Sequence, residues 1–108
     1  MTRYLIQETY TSQAAAALIK EPHDRMEVVR PIFESVGGKL EHYYVACNEN
    51  TVYLVAELPD QESLAALVVA FQAGGGPMSV KATPIMTTKE AVDVFKKAGS
   101  FDYRPPTG

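Results

Sequence analysis

"KLEHYYVACNENTVYLVAEL", Lys39 to Leu58, decides how this chain folds. It holds two runs rich in β-branched and aromatic residues, Lys39 to Cys47 and Thr51 to Leu58, separated by Asn48-Glu49-Asn50. Branched and aromatic side chains pack well on a pleated surface, so both runs read as strands. Asparagine tolerates positive φ, and a tight hairpin is therefore expected between them. Pairing Val45 with Tyr53 across the turn sorts the side chains onto two faces, because strand side chains alternate with a period of two. Leu40, His42, Tyr44, Ala46, Val52, Leu54, Ala56 and Leu58 fall on one face; Glu41, Tyr43, Val45, Cys47, Thr51, Tyr53, Val55 and Glu57 fall on the other. The first set is largely apolar and leads through Leu58 into a helix, so it is expected to face the core. The second mixes tyrosines and valines with two glutamates. It is too apolar for a bare solvated face and too polar for a core.

Outward from the hairpin, Arg3 to Tyr10 reads as a strand, and Thr11 and Ser12 offer an N-cap for the helix "QAAAALIK", which Pro22 ends. A second helix is expected from Asp24. Asp24 and Glu27 have capping-box spacing, and Met26, Val29, Phe33 and Val36 recur at helical intervals. Pro31 removes one backbone hydrogen bond and should kink that helix, which Gly37-Gly38 closes. Beyond the hairpin, Asp60 caps a third helix in which Leu64, Leu67, Val68 and Phe71 stand at i, i+3, i+4 and i+7. Met78 to Met86 is a fourth strand, placed at an edge by Pro84. Thr87 and Glu90 form a capping box for a last helix running to about Ala98.

Strand, helix pair, two strands, helix, strand, helix with right-handed crossovers gives an α+β, ferredoxin-like split βαβ fold. Its four-stranded antiparallel sheet has the order 4-1-3-2, with the helices on one face. Residues 1–99 form this single domain and residues 100–108 a tail without periodicity, whose Phe101 and Tyr103 are candidate anchors on a partner subunit or else unstructured. The uncovered sheet face calls for a partner, and a homodimer joined sheet to sheet around a partly open cavity is expected, with a higher oligomer as the alternative.

Composition narrows the function classes. The net charge of -3 and a single adjacent basic pair, Lys96-Lys97 near a helix end, do not suit nucleic acid. No apolar run approaches the roughly 20 residues of a membrane span. "MTRYLIQETY" is no signal peptide, and one cysteine makes no internal disulfide, so a cytoplasmic location is expected. "GGGP", Gly74 to Pro77, closes a helix instead of opening one and is no phosphate loop. His23 and His42 sit on different elements outside any ligand spacing, so no metal site is expected, and Cys47 reads as an ordinary strand-end side chain.

Five residues stand out as ligand-binding candidates. His42 is the only histidine on an expected strand, where an imidazole suits either acid-base work or a structural hydrogen bond. Gln7 in the central strand and Glu57 in the third need polar partners if they face the cavity. Tyr43 and Tyr53 join an apolar ring to a polar tip, fit for a dimer interface or a ligand wall.

"YLIQETYT" (Tyr4 to Thr11), "GGKLEHYY" (Gly37 to Tyr44), "VAELPD" (Val55 to Asp60) and "ATPIMTTKEA" (Ala82 to Ala91) resemble the recurring segments of the GYD family, small proteins of the dimeric α+β barrel type. The resemblance spans all but the tail and implies that fold and dimeric assembly, without a common activity. The triplet that names the family would fall at Glu49-Asn50-Thr51, where none of its three residues is present. No role tied to that triplet carries over. The expected function is that of a dimeric module without cofactor that binds a small molecule between its sheets. The alternatives are a cofactor-independent oxygenase or isomerase, suggested by analogy of fold, and a purely structural self-association module.

Overall fold

The computed structural model describes residues 1–106, so the end of the expected tail lies outside the described residues. Eight elements follow in order: β1 (Thr2–Tyr10), α1 (Ser12–Lys20), α2 (Arg25–Ser35), β2 (Lys39–Val45), β3 (Thr51–Leu58), α3 (Gln61–Ala73), β4 (Pro77–Ile85) and α4 (Thr88–Gly99). The sheet runs β2-β3-β1-β4 and every pair is antiparallel, which is the expected order read from its other edge. Pro84 lies on the edge strand β4, where a missing N–H costs no central ladder bond.

Local chemistry sets the helix ends. Thr11 Oγ1 accepts from Ala14 N at 3.0 Å and Asp60 Oδ1 from Ser63 N at 2.8 Å. At α4 both halves of the capping box form: Thr87 Oγ1 accepts from Glu90 N at 3.0 Å, and Glu90 Oε1 accepts from Thr87 N at 3.1 Å. The box expected at α2 is reduced to one bond, Met26 N to Asp24 Oδ1 at 2.9 Å, because Glu27 turns instead toward Arg30, 3.5 Å away. Gly37 closes α2 in the left-handed region, at φ 80°.

The core lies between the sheet and helices α2 and α3. Tyr4 and Ile6 of β1, Leu40 of β2 and all four even-numbered residues of β3 (Val52, Leu54, Ala56, Leu58) are buried against Val29, Phe33 and Leu67. Gly38 marks the tightest approach: a Cβ there would stand 2.7 Å from the Glu57 carbonyl oxygen and 2.7 Å from Leu58 Cδ2. In contrast, α1 and α4 contain no buried residue.

The hairpin departs from expectation in two ways. Its connection is wider, running from Ala46 to Asn50, and no residue but glycine adopts positive φ among those described. Asn50 works by hydrogen bonding instead. Its side-chain amide donates to Tyr10 O at 3.2 Å and its carbonyl accepts from Tyr10 N at 3.0 Å, which ties the turn to the end of β1. The second departure is a β-bulge at Glu41, which leaves Val45 opposite Val52 and Tyr44 opposite Tyr53. One extra residue in a strand with a period of two turns every later side chain over. Tyr43 and Val45 therefore join Leu40 on the helix side, and His42 and Tyr44 move to the open face, the reverse of the expected assignment. The faces of β3 are as expected.

Candidate functional site

Three of the side-chain rows that cross the open face carry candidate or charged residues. Tyr44, Tyr53, Gln7 and Lys81 form one, and His42, Val55, Leu5 and Thr83 the next. Glu57, Arg3 and Ile85 form the third. Gln7 alternates with buried Ile6 and Glu8, so its place on this face is fixed by the strand period. Of the five candidate residues, Gln7, His42, Tyr53 and Glu57 share this surface, and Tyr43 does not. The His42 and Tyr44 rings stack, with centroids 5.9 Å apart and planes at 18°. Tyr53 donates its hydroxyl to Glu49 Oε1 at 3.1 Å, and this carboxylate acceptor pushes the phenol above its ordinary pKa.

Arg3 organises the charged end of the face. Its Nε donates to Glu41 Oε1 at 2.8 Å and its Nη2 to Glu57 Oε1 at 2.9 Å, while Glu90 of α4 stands 3.7 Å away. The bulge frees Glu41 to make this bond across the intervening strand. The guanidinium hydrogen bond holds the Glu41 carboxyl below the usual carboxylate range.

The other side of the sheet carries a second cluster, which contains the displaced Tyr43. A cleft of about 370 Å³ opens between the end of α1, the loop to α2 and edge strand β2, lined by Leu18, Pro22, His23, Asp24, Arg25, Met26, Tyr43 and Val45. Glu8, on the central strand β1, is buried on the same side of the sheet. Its carboxylate is on the core-facing row of β1 between Ile6 and Tyr10, and its Oε1 is buried without a hydrogen-bond partner. Burial pushes the Glu8 carboxyl up, and the Arg25 guanidinium partly opposes that. Burial likewise raises the Tyr43 phenol, helped by the charge of Glu8 and opposed by Arg25. Of these three groups, Arg25 and Tyr43 line the cleft.

Arg25 is held by a relay. His23 Nδ1 lies 2.9 Å from the Glu21 carbonyl oxygen, which can only accept. The Nδ1 of His23 must then carry the proton, leaving Nε2 to accept from Arg25 Nη1 at 3.2 Å. Glu8 and Arg25 were not among the sequence candidates. The available signal was a glutamate at the third position of the alternating row Tyr4, Ile6, Glu8, Tyr10.

No helix among the described residues is long and apolar enough to cross a membrane, and those residues contain no group of three or more potential metal-ligating side chains. Comparison with curated proteins and with solved structures finds no match. The family model described as the GYD domain matches residues 4–94 of the 108, and with the fold it encloses this places the chain in the GYD domain family.

Proposed function

We propose that the chain works as a homodimer, joined through its open sheet face, with a small molecule held between the two sheets. The observation that carries this reading is the apolar surface left without a partner in one chain. In α4, Ala91, Val94, Phe95 and Ala98 fall at i, i+3, i+4 and i+7, yet Val94 is 47 % and Phe95 70 % exposed. The chain is also extended, 59 × 33 × 23 Å with a radius of gyration of 17.6 Å. A compact domain of this length has a radius of about 13 Å. An amphipathic helix carried away from its own core buries its stripe on another surface, and Glu90 beside Arg3 ties the start of α4 to the end of the open face.

That face is suited to a second copy. Leu5, Val55 and Ile85 give it an apolar centre, while Arg3 and Lys81 against Glu41 and Glu57 let a two-fold related face oppose unlike charges. Gln7, His42 and Tyr53 supply the polar groups that a ligand between the sheets would meet.

Sedimentation at micromolar concentration tests the assembly, with Phe95→Asp and Val55→Asp as probes. A wild-type dimer that both variants shift toward monomer, with far-UV circular dichroism retained, is the expected result. A wild-type monomer refutes the proposal.

A further inference from the structure

The cleft on the helix side lies within one chain, away from the sheet face proposed to meet a partner. Leu18 of α1, Pro22 of the following loop, Met26 of α2, and Tyr43 and Val45 of β2 make most of its wall apolar. Asp24 and Arg25 add one acid and one base to the same lining. Its volume, about 370 Å³, falls within the range of small-molecule pockets.

The acid and the base do not satisfy each other. Among the described residues, the ion pairs within 4.0 Å join Arg3 to Glu41, Glu57 and Glu90, and Arg30 to Glu27; neither Asp24 nor Arg25 takes part in one. Each is bonded locally instead. Asp24 Oδ1 accepts from Met26 N at 2.9 Å as the cap of α2, and Arg25 Nη1 donates to His23 Nε2 at 3.2 Å. Each bond engages one atom of its group. The second oxygen of Asp24 can accept from an ammonium, and the remaining donors of the Arg25 fork can bind a carboxylate.

This pairing narrows the class of ligand. A simple cation would be opposed by Arg25 and a simple anion by Asp24, whereas a zwitterion meets both groups favourably. An α-amino acid carries its ammonium and carboxylate on one carbon, with its side chain beside them. From the unpaired acid and base and the apolar walls around them, we infer that this cleft binds a free α-amino acid with an apolar side chain. Its ammonium lies on Asp24, its carboxylate on Arg25, and its side chain among Leu18, Met26, Tyr43 and Val45.

L-Phenylalanine is the probe, followed by residue-resolved NMR titration of the full chain, beside relatives that each lack one part of it. Phenethylamine lacks the carboxylate, 3-phenylpropionate the ammonium and glycine the side chain. Phenylalanine is expected to shift the signals of Leu18, Met26, Tyr43 and Val45 saturably and to bind about tenfold tighter than any of these relatives. Asp24→Asn keeps a good cap on α2 and should bring phenylalanine level with 3-phenylpropionate. Arg25→Met should bring it level with phenethylamine. The absence of saturable shifts with phenylalanine overturns the inference, as does any relative that binds as tightly. So does an advantage over 3-phenylpropionate that survives Asp24→Asn, or one over phenethylamine that survives Arg25→Met. Shifts confined to Leu5 and Val55 also overturn it, and they support a ligand between the sheets instead.

Discussion

Replacing Glu8 by leucine should make the protein more stable, and increasingly so as pH rises. The carboxylate occupies an apolar row, with Val52 and Val80 across the two neighbouring strands, and its Oε1 has no hydrogen-bond donor. An unmade hydrogen bond on a buried group costs about 1–3 kcal/mol, and leucine has a similar volume without the polar atoms. Each kcal/mol moves the thermal midpoint of a domain of this size by about 4–8 °C. Arg25, the opposing charge, is exposed and loses little when Glu8 is removed. The pH dependence follows from the raised Glu8 pKa. Below the ordinary glutamate value of 4.5 the carboxyl is neutral in both folded and unfolded chains. Above that value the unfolded chain releases its proton first, while the folded chain retains it up to the raised value. The unfolded state then binds fewer protons, and wild-type stability falls through this window. Other acids have their own slopes, but they cancel in the difference between two proteins that differ only at position 8. Urea unfolding of wild type and Glu8→Leu at matched protein concentration, from pH 4 to pH 8, measures that difference. A gap that favours wild type, or one that stays constant or shrinks as pH rises, would refute the reasoning.

Gly38→Ala places a methyl group 2.7 Å from the backbone oxygen of Glu57 and should cost about 1–3 kcal/mol through overpacking, read by urea denaturation. Phe33→Ala empties the most enclosed aromatic position, 0 % exposed against Phe71, and should cost about 3–5 kcal/mol in the same assay. Thr87→Ala removes one half of the α4 capping box and should cost about 1 kcal/mol of helix stability, seen as faster amide exchange in the first turn of α4. The Glu41, Asp60 and Glu90 carboxyls are all held below their ordinary values, by Arg3, the Ser63 N–H and the Thr87 N–H respectively. Their contribution is complete above the unfolded carboxylate range and is lost as pH falls through the depressed folded values, so Glu8→Leu, which lacks the opposing group, should lose stability in acid monotonically.

Element order, strand order and the faces of β3 were legible because each rests on a signal several residues long. The alternation of Val52, Leu54, Ala56 and Leu58 survives any single irregularity, and the Thr87-Glu90 spacing names its helix end outright. The face of β2 was not legible, because it turns on one residue. Glu41 bulges in the segment Leu40-Glu41-His42, which contains neither glycine nor proline to announce it. The bulged Glu41 bonds Arg3, 38 residues earlier and two strands away, and no local pattern encodes that bond.

The bulge also decides the chemistry on both sides of the sheet. Without it, Tyr43 and Val45 would lie on the open face, and the cleft beside α1 would lose two of its walls. His42 and Tyr44 would in turn be pressed against the helices. One residue out of the ladder thus sets the strand phase that puts Tyr43 beside Arg25 in the wall of the cleft and His42 on the open face, and it leaves Glu41 free to bond Arg3 at the end of that face.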